Sequence, residues 1–182
     1  LIYGSREIFD TAQHYRLDGE LADKIYYCGY ICPSEPYQLR GSLRHQMGVT
    51  GEKFIVITAG GGADAYPMMN LSMKAVAQLS LEEKIKALFI TGPLMNREQR
   101  ETLDIQARGL PVKVLSTVED TPHYLNAADL VITMGGYNTL MESLCLRKPT
   151  LVIPRGGPSA EQQIRTHLFS KLKLVHGLPP TE

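Results

Sequence analysis

The sequence favours neither sign of charge: nineteen Lys and Arg stand against nineteen Asp and Glu, and no local basic block appears. A polyanion needs a positive field to hold it, so nucleic acid is not an expected partner. Cysteine is scarce. Cys28, Cys32 and Cys145 are odd in number and none stands at a metal-ligand spacing from a histidine, which argues against structural zinc and for buried thiols in a reducing cytosol. No metal site is expected. Long apolar runs are missing too: none approaches the roughly 18 residues of a membrane span, and the N-terminus lacks the basic-then-apolar order of a signal peptide. The expected compartment is the cytoplasm, with no membrane span. No segment repeats or falls to low complexity. What remains, 182 residues with 43% hydrophobic and 21% charged, suits one well-packed domain with an appendage. The ends read as those of an excised domain, from Leu1 without a methionine to "LPPTE".

Residues 1 to 24 are polar and mixed, and "KIYYCGYI" then reads as a strand closed by the turn from Cys32 to Pro36. After a segment of helical character near "YQLRGSLRHQMG", strands and helices alternate. Six strands are expected: "KFIVITA" from Lys53, "ALFIT" from Ala87, "VKVL" from Val112, "DLVITM" from Asp129, "TLVIP" from Thr150 and a weak "KLVH" from Lys173. Four are near-continuous apolar runs, the pattern of strands covered by helices on both faces. Helices are expected from Pro67 to Leu79, with Met68, Leu71, Ala75, Val76 and Leu79 on one face, from Arg97 to Ala107, from Thr139 to Leu146 and from Glu161 to Leu172, with a short turn around Tyr124. This alternation predicts an α/β fold with a doubly wound, Rossmann-like parallel sheet in the order 3-2-1-4-5-6.

In such a sheet every strand-to-helix turn lies on one rim. The turn after the first strand is "AGGGADAYP", after the fourth "MGGYNT" and after the fifth "PRGGPSAEQQ", so glycine clusters fall on that rim three times. Strands one and four are neighbours in this order, which sets Gly60, Gly61, Gly62 and Ala63 across a crevice from Gly135, Gly136, Asn138 and Thr139. Glycine removes the Cβ that would hold a ligand away, and helix N-termini offer unpaired N–H groups and partial positive charge. A phosphate or diphosphate fits.

Gly60, Gly62 and Ala65 also match the dinucleotide fingerprint G-x-G-x-x-G/A, so an NAD(P)-binding domain of an oxidoreductase is an alternative. That fingerprint needs an acid at the end of the second strand, whereas Glu82 and Glu83 precede it. No Walker A sequence is present, which argues against a P-loop nucleotidase. Glu142 admits two readings. Thr139 and Glu142 have the T-x-x-E spacing of a capping box, and Glu142 equally stands where a carboxylate could accept ribose hydroxyls beside the glycine turn. The histidines have no paired spacing and receive no catalytic role. Arg97 and Glu101 are spaced for an i,i+4 pair on a solvated helix face.

The stretch "AADLVITMGGYNTLMESLCLRKPTLVIPRGGPSAEQQ" combines A-D, an apolar strand, G-x-x-T-x-x-E, a strand ending in Pro and a loop ending in Q-Q. In this it resembles the C-terminal, donor-binding half of GT-B glycosyltransferases, most closely glycosyltransferase family 28 and its MurG-like members. The resemblance implies that Glu142 holds the ribose hydroxyls, that Thr139 lies at the diphosphate, that Gln162 and Gln163 read the donor hexose, and that main chain near Thr117 and Val118 meets the uracil. It implies an inverting, metal-independent hexose transfer from a nucleotide sugar, UDP-linked in the family's manner, with no cofactor. Residues 1–24 would be the tail of an N-terminal acceptor domain plus linker, and 25–182 the nucleotide-sugar domain. The catalytic base would belong to the missing acceptor domain, so this fragment would bind donor without turnover. No D-x-D motif is present, and Arg155 is the candidate cation for the leaving group. One departure stands out: the family's first loop often carries a serine, where "GGGADA" has none, and Asp64 in that loop would repel a diphosphate unless turned away. A non-catalytic nucleotide sensor and a nucleotide-sugar epimerase are further readings.

Overall fold

The computed structural model describes residues 1–17, 19, 21–32, 40–157 and 160–180. The chain divides into two compact units, Leu1–Pro33 and Ser34–Glu182, later than the expected boundary after residue 24.

The first unit contains a short helix, α1 (Thr11–His14), and a 3-10 turn over Ala22–Lys24. Asp10 caps α1 by accepting from the Gln13 N–H, the Tyr27 hydroxyl donates to its Oδ1 at 2.7 Å, and Arg6 Nε lies 3.7 Å from its Oδ2. The strand expected in "KIYYCGYI" is not formed. Two isolated bridges, Ile2 with Tyr27 and Gly4 with Gly29, stand in its place, because the backbone turns over at Gly29 (φ +73°) before a ladder can extend.

The second unit holds α2 (Arg40–Gln46), β1 (Lys53–Thr58), α3 (Tyr66–Leu79), β2 (Ile85–Ile90), α4 (Arg97–Gln106), β3 (Val112–Leu115), α5 (Thr121–Ala127), β4 (Leu130–Thr133), α6 (Tyr137–Cys145), β5 (Thr150–Val152), α7 (Glu161–Lys171) and β6 (His176–Gly177). The sheet is parallel throughout, in the order β3-β2-β1-β4-β5-β6. The expected topology is therefore the observed one.

The apolar runs work because successive side chains enter opposite cores. Ile55, Ile57, Ala87 and Phe89 join one cluster with Met68, Met69, Met73 and Val76 of α3 and Leu103 of α4. Phe54, Val56, Leu88 and Ile90 join the other, with Leu43 of α2 and Leu125 and Ala127 of α5. Each fully buried side chain of this size is worth about 1.5–3 kcal/mol.

Four local expectations are corrected. The buried stripe of α3 is Met68, Met69, Ser72, Met73 and Val76, while Leu71, Ala75 and Leu79 are exposed; the sheet selects the 69-72/73-76 row rather than the one drawn from sequence. The turn around Tyr124 is a full helix, with Pro122 in its first turn where a missing N–H costs nothing. β6 begins at His176, not Lys173, because Lys173 adopts φ +57° and Leu174 donates back to Phe169 O at 2.9 Å, so these residues close α7. Nor are the cysteines buried thiols: Cys28 is free and exposed, whereas Cys32, exposed, and Cys145, half-buried, are disulfide-bonded.

At the amino-terminal end of the strands, Asp129 ties α2 to the sheet. Its carboxylate accepts from Arg40, from Arg44 Nη1 at 2.9 Å and from the Phe54 N–H at 2.7 Å, and Arg44 also donates to Glu52 O at 2.7 Å. Burial raises the Asp129 pKa, but these donors outweigh it and leave the group below its ordinary value. Anchoring this end leaves the opposite, carboxyl rim to the loops.

Candidate functional site: a two-chambered cleft on the carboxyl rim

The loops after β1, β2, β3 and β4 enclose a cleft of ≈ 470 Å³, lined at its base by Thr58 and Ile90 from the strand ends. A second cavity of ≈ 410 Å³ adjoins it, bounded by the loops after β1, β4 and β5. Gly60, Gly61, Asn138 and Thr139 line both, so the glycine turn after β1 and the first turn of α6 form the partition between two chambers. Both volumes are in the range of small-ligand sites.

The larger chamber holds Thr117, Val118 and Glu142. The smaller holds Gly62, Ala63, Gly136, Arg155 and Gln162, together with Asp64. Gly135 and Gln163 line neither. Gly135 has φ +77°, and a Cβ on it would meet Val152 Cγ1 at 2.8 Å, so its role is to let the turn pack on β5 and α7. Its carbonyl accepts from Arg165 Nη1 at 2.7 Å. Gln163 lines a separate cavity of ≈ 230 Å³ with His167 and Ser170.

The capping-box reading of Thr139 and Glu142 fails. Helix α6 starts two residues earlier than expected, with Gly136 as its N-cap and no side-chain cap hydrogen bond. Thr139 is thus inside the first turn and buried, and Glu142 lies in the second turn with no acid in the first. Among the described residues no side chain caps α6 at Gly136, and this N-terminus stands at the partition, where its partial positive charge favours an anion. Glu142 is half-buried, and burial pushes its carboxyl above the ordinary value. It is a desolvated acceptor in the wall of the larger chamber.

Arg155 is held from three sides. Its N–H donates to Gln162 Oε1 at 3.2 Å, and its carbonyl accepts from Gln163 Nε2 at 3.0 Å, so the glutamine pair grips its peptide groups from the first turn of α7. Its guanidinium reaches Asp64 Oδ2 at 3.0 Å. The acid that threatened the anion site in sequence is therefore matched by the one cation lining the two chambers among the described residues.

The loop after β3 was only partly legible. Ser116, Glu119, Asp120 and Thr121 also line the larger chamber, and the rim argument reaches them, but the loop has no glycine to mark it. Gly92, after β2, was likewise missed. For a dinucleotide site the second strand should end in an acid, yet β2 runs into Thr91, Gly92 and Pro93, and Glu82 and Glu83 are exposed before its other end. Among the described residues no group of three His, Cys, Asp or Glu is arranged to hold a metal, and no helix is long and apolar enough to cross a membrane.

Residues 54–171 match the Glycosyltransferase family 28 C-terminal domain. Among curated proteins, the UDP-N-acetylglucosamine--N-acetylmuramyl-(pentapeptide) pyrophosphoryl-undecaprenol N-acetylglucosamine transferase of Clostridioides difficile is 28% identical over 152 residues, covering 82% of this chain and 37% of that protein. A protein named as an uncharacterized glycosyltransferase of Methanosarcina acetivorans is 27% identical over 174 residues, 84% of this chain and 43% of that one. The chain thus spans less than half the length of these relatives. Among solved structures, MurG of Acinetobacter baumannii superposes with a TM-score of 0.62 at 17% identity, over 94% of this chain and 50% of that one, a likeness of fold. The match extends over more than half of the sequence, from the first strand of the sheet into its last helix, and the chain belongs to the glycosyltransferase family 28 C-terminal domain family.

Proposed function

We propose that this chain is the donor-binding part of an inverting glycosyltransferase that transfers a hexose from a nucleotide sugar, UDP-linked, without a metal. The larger chamber takes the nucleoside, with the base against main chain at Thr117 and Val118 and the ribose hydroxyls donating to Glu142. The diphosphate crosses the partition, on amides of Gly60 to Ala63 and the open N-terminus of α6 beside Thr139. The hexose occupies the smaller chamber, read by Gln162, while Gln163, outside that chamber, holds the Arg155 carbonyl. An acceptor hydroxyl attacks the anomeric carbon, the bond from that carbon to the phosphate oxygen breaks with inversion, and the nucleoside diphosphate leaves. The proton passes to a base in an N-terminal acceptor domain of the whole protein. Charge on the leaving group is balanced by the α6 N-terminus and Arg155. The reaction takes place in the cytoplasm.

One observation carries this reading: Glu142, half-buried, shares a cleft with Gly60 and Gly61 of the turn after β1 and with Asn138 and Thr139 in the first turn of α6. Relatives named for UDP-N-acetylglucosamine add support for the donor class. The test is thermal unfolding of the chain with UDP, TDP, GDP, ADP, UDP-sugars and nicotinamide dinucleotides. Stabilisation by a nucleoside diphosphate and its sugar is expected; stabilisation by the dinucleotides alone would remove the proposal.

A further inference from the structure

One ion pair, between residues 91 apart in sequence, spans the smaller chamber: Arg155 Nη1 donates to Asp64 Oδ2 at 3.0 Å, joining the loop after β5 to the glycine turn after β1. The backbone of Arg155 cannot follow its side chain, because Gln162 and Gln163 hold its N–H and carbonyl. Any rearrangement is a swing of the side chain alone.

The guanidinium is under-used as it stands. It has five donors, it meets Asp64 through one nitrogen, and its Nε is buried with no hydrogen-bond partner among the described residues. A phosphate group accepts from two guanidinium nitrogens at once, and more strongly than a single contact. The ion pair itself is weak, since the two side chains are 31% and 46% exposed. The surroundings oppose an anion: Asp64, Glu119, Asp120 and Glu142 line the chambers against this single guanidinium.

We propose that Asp64 and a ligand diphosphate compete for Arg155, so that the ion pair is a latch opened by exchange and Asp64 sets how readily the nucleoside diphosphate is released. This rests on the reading of the cleft as a donor site. The guanidinium stays protonated throughout; one ion pair breaks and charge-assisted bonds to phosphate form. A nucleoside diphosphate has a free terminal phosphate and more negative charge than the sugar-linked donor. It gains more from Arg155 but is also opposed more by Asp64, so it is the Asp64 carboxylate that shifts the balance toward product release.

The test is titration calorimetry on the 182-residue chain and its Asp64→Asn, Arg155→Met and doubly substituted forms, with the tightest-binding nucleoside diphosphate of the survey above, its sugar conjugate and the parent nucleoside. Asp64→Asn is expected to tighten the diphosphate about fivefold, the sugar conjugate less and the nucleoside not at all. Arg155→Met is expected to weaken the diphosphate about tenfold. The gain from Asp64→Asn should shrink to about twofold or less when Arg155 is absent, since only bare repulsion is then relieved. Weaker or unchanged binding by Asp64→Asn would overturn the latch, as would an equal or larger gain in the Arg155→Met background. If no nucleoside diphosphate binds the unmodified chain, the donor-site reading itself fails and the latch with it.

Discussion

A Cβ on Gly92 would stand 2.5 Å from the carbonyl oxygen of Gly60, so the turn after β2 is pressed against the glycine turn after β1. Gly92 also has φ +87°. The two turns are cross-linked further by the Leu94 N–H, which donates to Gly61 O at 2.9 Å. Gly92→Ala is expected to cost about 2–4 kcal/mol, from left-handed backbone strain plus displaced main chain. Gly60→Ala has open space around its Cβ and should cost only the backbone strain, about 1–2 kcal/mol. Its methyl would enter the cleft wall, so nucleoside diphosphate affinity should fall with little loss of fold. Urea unfolding and calorimetry on both variants check the contrast.

Glu142→Gln should move stability and binding in opposite directions. Burial raises the pKa of this carboxyl, so at neutral pH the fold bears the cost of keeping it ionised. Removing the charge should raise the unfolding midpoint slightly, within about 1 kcal/mol, while nucleoside affinity drops about tenfold or more with the loss of a charged hydrogen bond. The contribution of Glu142 to stability should likewise rise as pH falls through its raised pKa, and this rise should be absent in Glu142→Gln. Equal loss of stability and binding would point to a structural role.

Acid should undermine the amino-terminal end of the sheet first. The pKa of Asp129 lies below its ordinary 3.8, and that of Glu52 is lowered from 4.5 to about 2 by the N–H groups of Gly51, its own residue and Thr50. A depressed carboxyl supports the fold above its unfolded pKa and loses that support as pH falls through the folded value. Thermal unfolding should therefore weaken from about pH 4.5 down toward about pH 2, and Asp129→Asn should flatten part of that slope. At neutral pH Asp129→Ala is expected to cost about 2–3 kcal/mol, because Arg40, Arg44 and the Phe54 N–H lose their shared acceptor.

The two glutamines should part in function. Gln162 lines the smaller chamber and Gln163 does not, although both hold the Arg155 peptide groups. Gln162→Ala should change the preference among nucleotide sugars. Gln163→Ala should weaken nucleoside diphosphates and their sugars by a common factor, about three- to tenfold, through a loosened Arg155. Competition titrations with several UDP-sugars separate the two outcomes.

The glycine turns, Thr139 and Glu142 could be named before any coordinates because a parallel sheet places every strand-to-helix turn on one rim, whereas the glutamine pair was named only through the resemblance to glycosyltransferase family 28. The loop after β3 and Gly92 could not, since neither carries a cluster that stands out in composition. The start of α6 also escaped: the T-x-x-E spacing offers a cap at Thr139, yet the helix begins at Tyr137 and its cap is Gly136, three residues before the local hydrogen-bonding signal.

By itself the sequence determined the sheet, its strand order and the rim that carries the glycine turns, since continuous apolar strands alternating with helices have few right-handed solutions. Tertiary structure alone decided which charges meet. Asp64 and Arg155 are 91 residues apart and nothing along the chain pairs the one with the other. Their pairing, and the burial that raises the Glu142 carboxyl, depend on distances across the sheet that local periodicity does not encode.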